Sequence, residues 1–334
     1  MKRTGNLYPK IAEPDNLRLA FNKAVRGKRS RNEVIRFQRR LDENLAELHR
    51  QLIEERVAVG DYRFFTVHDP KQRLICAAAF PERVLHHAVM NVCEPVLDAY
   101  ALDDSYACRK GKGSQRALER ARYFTGRYGW YLKLDIRRYF DSIDHAVLLG
   151  LLRRRFKDRR LLALLERIFD SYETCPGKGL PIGNLVSQHM ANFYLGYLDH
   201  WLKEERRVPG YVRYMDDFVL FADEKQRLLQ ELAQIRRFLE ERLQLALKDN
   251  VQLNRCRRGL PFLGFRVLPG SIRLAPRSRR RFVEKFCHYE GLWNEGVWDE
   301  STLARHMTPL VEFTRAGRAT GFRRHVLEQY GVPF

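Results

Sequence analysis

The stretch Tyr211-Val-Arg-Tyr-Met-Asp-Asp-Phe-Val-Leu-Phe-Ala222 places two adjacent acids, Asp216 and Asp217, between two short runs of apolar, β-prone residues. This pattern predicts a β-hairpin with the two carboxylates at its turn. Because turns often carry an aspartate for local hydrogen bonding, the pair alone would indicate only a turn. A second apolar run, Trp130-Tyr-Leu-Lys-Leu-Asp135, also ends in an acid. We therefore expect Asp135 and the Asp216-Asp217 pair to converge at the ends of neighbouring strands.

Carboxylates that converge in this way can bind a pair of divalent cations. Two metal ions about 3.5–4 Å apart stabilise both the attacking and the leaving oxygen of a phosphoryl transfer. Mg²⁺ prefers hard oxygen ligands and typically takes one or two protein carboxylates together with waters and substrate phosphates. The three acids therefore predict a site for two Mg²⁺ ions and phosphoryl transfer, with Asp135 and Asp216 as the primary ligands.

The chain is strongly basic. Its 334 residues include 61 lysines and arginines against 41 acidic residues, which gives a formal net charge of +20. Such an excess favours a polyanionic partner, because each neutralised phosphate releases condensed counterions, so nucleic acid is the expected partner. The six cysteines form no Cys-x-x-Cys pair, and we see neither an apolar targeting segment nor a membrane-length apolar stretch. A cytoplasmic protein without membrane association is expected.

Helical and strand-like patterns are mixed along the chain without strict alternation. Apolar periodicity predicts helices over about 32–57, from residue 81, after Asp135, and over about 161–172, 187–202 and 228–243. Short strands are predicted at 63–67, 73–77 and 261–265, the first two joined by a turn at Asp69-Pro70. This mixture indicates an α+β fold and not a doubly wound sheet.

The motifs taken together resemble a reverse transcriptase. Leu134-Asp-Ile-Arg-Arg-Tyr-Phe-Asp-Ser-Ile143 is similar to palm motif A, and Tyr214-Met-Asp-Asp217 is similar to motif C. More narrowly, Gly179-Leu-Pro-Ile-Gly-Asn-Leu-Val-Ser-Gln188 resembles the variant motif of diversity-generating retroelement reverse transcriptases. There Ile182-Gly183 and Ser187-Gln188 stand where most reverse transcriptases have Gln-Gly and Ser-Pro. Several motifs in the correct order are more specific than any one of them.

The resemblance implies a right-hand polymerase, with fingers and palm over residues 1–270 and a mostly helical, basic thumb over 271–334. It implies an RNA-directed DNA polymerase that makes error-prone cDNA, with errors directed to template adenines, from a template-repeat RNA. The implied partners are template RNA, cDNA, dNTPs and a small basic accessory protein of the retroelement. The alternatives are a group II intron-like or phage-defence reverse transcriptase, or a non-catalytic RNA-binding, maturase-like protein on the same scaffold.

The same resemblance implies roles for particular residues. Two Mg²⁺ ions would be held by Asp135, Ile136, Asp216 and Asp217. The incoming dNTP would contact Lys71, Arg73, Phe140, Ile182 and Gly183. The template would contact Arg109, Lys110, Lys112 and Gln188. Phe140 would be a steric gate that excludes a ribose 2′-hydroxyl. Ile182 would lower fidelity opposite adenine, because it cannot form the hydrogen bonds of the usual Gln.

Some polar residues near these motifs have plainer interpretations. Asp141 and Asp144 are better explained as helix N-terminal acids than as catalytic groups. Lys248 either reaches the site or is a solvated residue at the end of a strand. His86 and His87 have apolar neighbours, so packing or backbone hydrogen bonding is expected of them. For Arg73, a planar guanidinium suits phosphate oxygens, although a solvated hairpin cation is the competing interpretation.

Overall fold

The N-terminal part of the protein is helical. The structure, a computed structural model, describes residues 3–68, 72–317 and 319–331. Its first helices are α1 (Tyr8–Ala12), α2 (Pro14–Ala24), α3 (Asn32–Arg39) and α4 (Leu41–Ile53). The single helix predicted over 32–57 is wrong, because the backbone leaves helical geometry at Arg40 (φ −126°, ψ 45°). The Asn44 amide donates to the Phe37 carbonyl at 2.9 Å, which satisfies an acceptor at this break.

A β-hairpin and a long helix follow. Strands β1 (Tyr62–His68) and β2 (Gln72–Ala78) pair antiparallel, as the sequence predicts. The predicted turn at Asp69-Pro70 and the candidate Lys71 lie outside the described residues. Helix α5 (Phe80–Tyr100) has Pro81 in its first turn and packs against α2. The hairpin is largely exposed, whereas α5 is a core helix.

The central sheet is built from four antiparallel strands. The middle of the chain forms α6 (Ser114–Arg127), β3 (Trp130–Asp135), α7 (Tyr139–Ser142), α8 (His145–Arg153), α9 (Arg159–Asp170), α10 (Leu185–His200), β4 (Gly210–Tyr214), β5 (Asp217–Ala222), α11 (Lys225–Leu243) and β6 (Gln252–Arg255). The strand order is β4-β5-β3-β6. Leu132 and Leu220 join the main core on one face, while Tyr131 and Val219 join a second core with α6. Alternate residues of a strand point to opposite faces of the sheet, so these two cores lie on its two sides. The sheet is therefore covered on both faces, and the mixture of helices and antiparallel strands confirms an α+β fold.

The C-terminal part combines a small sheet with three helices. Strands β7 (Leu260–Phe262), β8 (Phe265–Leu268) and β9 (Ser271–Leu274) form an antiparallel meander, followed by helices α12 (Pro276–Asn294), α13 (Glu300–Arg315) and α14 (Thr320–Tyr330). The single strand predicted over 261–265 is wrong. Gly264 has φ +84° and an added Cβ would lie 2.9 Å from Phe313, so this position is a turn that requires glycine.

The helices α12 to α14 have a small core of their own, formed by Phe282, Phe286 and Val326. The boundary at 270/271 falls in the turn between β8 and β9. We propose that the thumb comprises residues 271–334, with β9 joining it to the central body. None of the helices in the described part of the chain has the length and apolarity needed to cross a lipid bilayer.

Candidate active site

The three predicted acids lie together at one end of the central sheet. Asp135, the last residue of β3, is directly opposite Asp217, the first residue of β5. Tyr214 of β4 is paired with the same Asp217, so Met215 and Asp216 form a two-residue hairpin turn. Met215 has a left-handed backbone with φ +57°, as such tight turns require. The hairpin predicted from the Tyr-Met-Asp-Asp stretch is therefore confirmed.

Asp216 shares its surroundings with Asp135. Burial raises the pKa of the Asp216 carboxyl to about 6, and the negative charge of Asp135 adds to the rise. A backbone hydrogen bond and the positive charge of Lys248 act in the opposite direction. Two carboxylates that are close together and partly desolvated favour the neutral form unless a cation lies between them. The Asp135 and Asp216 carboxyl groups are therefore expected to bind a cation.

Asp217 is held by a different cation. Burial raises the pKa of its carboxyl to about 6, and this rise is opposed by Lys133, whose Nζ lies 3.0 Å from Asp217 Oδ2. The other carboxylate oxygen, Oδ1, is buried and has no hydrogen-bond partner among the described residues. A buried oxygen without a partner is costly, so Asp217 has one oxygen available for a further ligand.

Lys248 reaches the site, which decides between the two interpretations of this residue. Its Nζ lies 2.6 Å from Asp135 Oδ1, and its backbone N–H donates to the Asp135 carbonyl at 2.9 Å. The neighbouring Arg137 N–H donates to the Ala246 carbonyl, which makes Ile136 and Leu247 a bridge pair. In this pattern the carbonyl of Ile136 points away from Leu247. Because an isoleucine side chain is a hydrocarbon without a ligand atom, Ile136 could bind a metal only through that carbonyl.

The acids fit a divalent cation, although they do not form a complete cage. Within residues 3–68, 72–317 and 319–331, no three His, Cys, Asp or Glu side chains are grouped closely enough to hold a metal ion by themselves. Mg²⁺ needs only one or two carboxylates when substrate phosphates supply the remaining oxygens. The adjacent Asp135 and Asp216 carboxyl groups and the unpartnered Asp217 Oδ1 provide such hard donors.

The raised pKa of Asp216 leads to a prediction about stability. A group whose pKa is higher in the folded state stabilises the protein below its unfolded pKa, and this contribution is lost as the pH rises through about 6. Without metal, Asp216→Asn should therefore increase the free energy of unfolding at pH 7 by about 1–2 kcal/mol. The gain should shrink at pH 4, where the wild-type carboxyl is protonated.

Thermal unfolding in EDTA at pH 4 and pH 7 measures this difference. Asp223→Asn, at an exposed position just after β5, is the matched control, because an amide oxygen can still accept the Gly129 N–H that Asp223 Oδ1 accepts at 3.2 Å. An Asp216→Asn protein that is less stable than wild type at pH 7 would show that the ionised carboxylate contributes favourable contacts. Adding Mg²⁺ should remove the advantage of the variant, since a ligand that binds only the folded wild type stabilises it.

Several residues predicted to contact the nucleotide surround one loop. The Ile182 carbonyl accepts a hydrogen bond from Cys76 N of β2 at 2.8 Å, and the Phe140 carbonyl accepts one from Leu180 N at 2.8 Å. Gly183 has φ +118°, and a Cβ there would lie 2.9 Å from the Cys76 carbonyl oxygen. The loop therefore connects the start of α7 to the hairpin strand that carries Arg73. Arg73 is exposed and makes no ion pair within the described residues.

The basic loop at 109–112 is less free than its composition suggests. The Arg109 guanidinium lies 2.5 Å from Asp98 and donates to the carbonyls of Leu102 and Ser105, so only 10% of its side chain is exposed. Lys112 bonds to Asp103 and is 15% exposed. Lys110 is 83% exposed and has Glu94 at 3.6 Å. Of these three cations, Lys110 is therefore the one available to a template phosphate.

Gln188 lies on α10, with its Oε1 3.9 Å from Cys108 Sγ. It thus connects the basic loop to the helix that follows Gly183. A template contact by Gln188 or by the loop stays a prediction.

The plainer interpretations of neighbouring residues hold where the structure tests them. Asp144 caps α8 by accepting the Val147 N–H at 3.0 Å, and Asp141 lies in the first turn of α7. His86 is buried, although its ring nitrogens have no hydrogen-bond partner within the described residues. Burial lowers the pKa of His87 to about 4, so it is neutral at physiological pH. These side chains are outside the catalytic group.

Two charged residues that the sequence analysis did not single out lie next to the acids. They are Lys133, which bonds to Asp217, and Arg213, which is fully buried behind the turn. Each interrupts an apolar strand, and a charge within an otherwise apolar strand is the signal that marks them. The sequence does not show, however, which residues these two side chains contact.

Comparisons with known proteins agree with this arrangement. A family model described as reverse transcriptase (RNA-dependent DNA polymerase) matches residues 68–267. Protein YkfC of Escherichia coli K12 is 22% identical over 70% of this chain and 73% of its own length. Group II intron-encoded protein LtrA of Lactococcus lactis subsp. cremoris is 26% identical over 40% of this chain, but this chain spans only 23% of LtrA.

The fold is also similar to a solved structure. Apo telomerase from Candida tropicalis aligns with a TM-score of 0.52 at 11% identity, covering 82% of this chain and 60% of that one. At this identity the likeness concerns the fold alone. It supports a right-hand polymerase architecture for the helices and sheets described above.

Proposed function

Since the chain belongs to the reverse transcriptase family and is thus an RNA-directed DNA polymerase, we propose that it makes error-prone cDNA from a template-repeat RNA in a diversity-generating retroelement. In this proposal Asp135, Asp216 and Asp217, with the Ile136 carbonyl, hold two Mg²⁺ ions. A small basic accessory protein is the proposed protein partner. It would bind the RNA together with this basic chain.

The chain's own groups supply position and charge. When bound, the two Mg²⁺ ions would stabilise the charge on the attacking 3′-oxygen of the primer and on the leaving pyrophosphate. Lys248 Nζ lies 2.6 Å from Asp135 Oδ1, and Lys133 Nζ lies 3.0 Å from Asp217 Oδ2. Arg73, exposed on the hairpin, would bind the triphosphate. Catalysis of this kind depends on positioning and on electrostatic stabilisation.

The observation that carries the narrower proposal is Ile182. Its carbonyl accepts a hydrogen bond from Cys76 of β2, which ties the loop to this strand, and its side chain is half-buried. An apolar side chain there offers no hydrogen bond to the nascent base pair or sugar. A geometric check on pairing is therefore absent, and lower fidelity follows.

A group II intron-like reverse transcriptase is the second candidate. The similarity to LtrA, whose name describes a group II intron-encoded protein, favours it. The Ile182 and Gln188 pair favours the retroelement type. Faithful cDNA from the purified protein would support the intron-like alternative, whereas errors concentrated at template adenines would support mutagenic copying.

The experiment is to sequence cDNA that the purified protein makes from a primed RNA with dNTPs and Mg²⁺, with its accessory protein added where one is encoded nearby. The expected product carries misincorporations concentrated at template adenines. Asp216→Asn, with a disrupted metal site, should give no product.

Ile182→Gln should lower misincorporation opposite adenine by about tenfold, because one restored hydrogen bond contributes about 1–1.5 kcal/mol. The readout is the error frequency per template adenine relative to the other three bases. Ile53→Gln, the same change at an exposed site on α4, should leave the error spectrum unchanged. Equal spectra for wild type and Ile182→Gln would remove Ile182 from the proposal.

A further inference from the structure

A buried ion pair lies directly behind the catalytic turn. Arg213 of β4 and Asp199 of α10 both have fully buried side chains. Arg213 Nη2 lies 2.6 Å from Asp199 Oδ2, and Nε lies 2.7 Å from Oδ1, so the contact is bidentate. The Tyr211 hydroxyl donates to the same Asp199 Oδ1 at 2.6 Å. The guanidinium is therefore fixed in one plane.

The remaining donors of Arg213 are also used. Nη1 donates to Asn192 Oδ1 at 2.8 Å and to the Met215 carbonyl at 2.9 Å, and Nη2 donates to the Asn192 carbonyl at 3.1 Å. With the two bonds to Asp199, every one of the guanidinium N–H donors has an acceptor. Four of these bonds fix the guanidinium to α10. The fifth bond, to the Met215 carbonyl, holds the turn.

The residue held in this way has a strained backbone. Met215 has φ +57°, and for a residue with a Cβ the left-handed region costs about 1–2 kcal/mol. The next residue is Asp216, so the direction of the catalytic carboxylate depends on this backbone. A hydrogen bond to the Met215 carbonyl opposes relaxation of the turn toward an ordinary conformation.

Stability alone does not account for the pair. Replacing a buried ion pair with apolar residues of similar volume is often neutral or stabilising, because the desolvation cost disappears. The backbone of Arg213 is held independently, by bonds from its N–H to the Asp104 carbonyl and from Tyr106 N–H to its own carbonyl. The strand therefore has support that does not need the guanidinium.

We propose that Arg213, clamped by Asp199 and Asn192, is a positioning residue that holds the Met215-Asp216 turn so that the Asp216 carboxylate faces Asp135. This inference rests on the proposed function of the three acids. It also connects α10, which begins beside the nucleotide loop, to the catalytic hairpin. Arg213 itself touches neither substrate nor metal in this role.

The test uses an apolar variant, Arg213→Met with Asp199→Leu and Tyr211→Phe, which removes the pair without leaving a buried charge. Its unfolding midpoint should stay near that of wild type. Its kcat for primer extension should fall about tenfold or more, the cost of one lost hydrogen bond to a positioned group. The KM for dNTP should change little, and half-maximal rate should require more Mg²⁺.

Rescue separates positioning from structure. Asparagine adopts the left-handed region more readily than methionine, so adding Met215→Asn to the apolar variant should restore part of kcat. Met215→Asn alone, together with wild type, the apolar variant and the combined variant, completes a mutant cycle that measures the coupling between the turn and the ion pair. Arg206→Met with Glu231→Leu, which removes the partly buried ion pair between Arg206 and Glu231 of α11, should leave kcat unchanged.

Every outcome of this cycle either supports or overturns the proposal. A folded apolar variant with wild-type kcat and Mg²⁺ dependence overturns the proposal, and so does a loss of kcat that Met215→Asn does not rescue. If the apolar variant does not fold, the same cycle is measured with Arg213→Lys, which keeps the charge but cannot reach all of the acceptors. Failure of the proposed active site would be distinct, since Asp216→Asn would then remain active.

Discussion

Replacing Asp216 with asparagine is expected to reduce primer extension at least about 10³-fold, because stabilisation by a bound metal contributes several kcal/mol and each ~1.4 kcal/mol is a factor of ten. The amide has nearly the same size as the carboxyl but no negative charge. It therefore preserves the turn between β4 and β5 while weakening cation binding. The rate is measured in single-turnover extension of a primed RNA with dNTPs and Mg²⁺.

The neighbouring acids provide graded comparisons. Asp135→Asn should be as damaging, since Asp135 shares the site with Asp216 and contacts Lys248 at 2.6 Å. Asp217→Asn should cost less, because Lys133 already balances one oxygen of that carboxylate. Asp223→Asn makes the same chemical change at an exposed position just after β5 and should retain full activity. Extension at a wild-type rate by Asp216→Asn would exclude these acids as the metal ligands.

The same substitution is expected to act in opposite directions on activity and on stability. Without metal, the ionised Asp216 is partly desolvated and faces Asp135, so its charge destabilises the folded state. The Asn variant should therefore be inactive yet more stable at pH 7. A general unfolding effect would instead lower both quantities, so the two measurements together distinguish loss of a ligand from loss of the fold.

The sequence predicted the catalytic hairpin because its signals are local. Alternation of apolar residues around two acids specifies strand, turn and strand within residues 211–222, and the period of two also fixes which residues share a face. The second apolar run ends in Asp135, which predicts that this acid lies beside the hairpin. The register that places Asp135 opposite Asp217 confirms that expectation.

The supporting charges could not be assigned in the same way. Lys248 lies 113 positions from Asp135 along the chain, and Arg213 lies 14 from Asp199 on a different element. Such contacts depend on how helices and strands pack, which periodicity does not encode. The sequence leaves Lys248 either at the site or solvated at the end of a strand, and only the packing shows that it reaches the Asp135 carboxylate.

Two errors in the fold have local causes. The helix predicted over 32–57 breaks at Arg40, although the apolar spacing continues from Leu41 to Leu52, because periodicity shows which face is buried and not whether the backbone is continuous. The strand predicted at 261–265 is two strands and a turn. Gly264 permitted either a close backbone approach or a turn, and its positive φ shows that a turn formed.

Phe140→Ala should lower the preference for dNTPs over rNTPs by about 10–100-fold, because forcing extra atoms into filled space costs about 1–3 kcal/mol and removal of the ring relieves that cost. Phe140 is half-buried, with its ring 5.8 Å from that of Tyr139. Its carbonyl accepts the Leu180 N–H at 2.8 Å, and this bond does not need the side chain. The loop that carries Ile182 should therefore stay in place.

The measurement is kcat/KM for each dNTP and its ribonucleotide on the same primed RNA. Phe140→Tyr is the matched control: it keeps an aromatic ring of similar size, so it should preserve discrimination. If Phe140 were only a core residue, Phe140→Ala would lower the rates with both sugars and the thermal stability together, and the ratio would not change. A steric gate predicts a gain in the rNTP rate itself, and that gain is a result that loss of packing cannot produce.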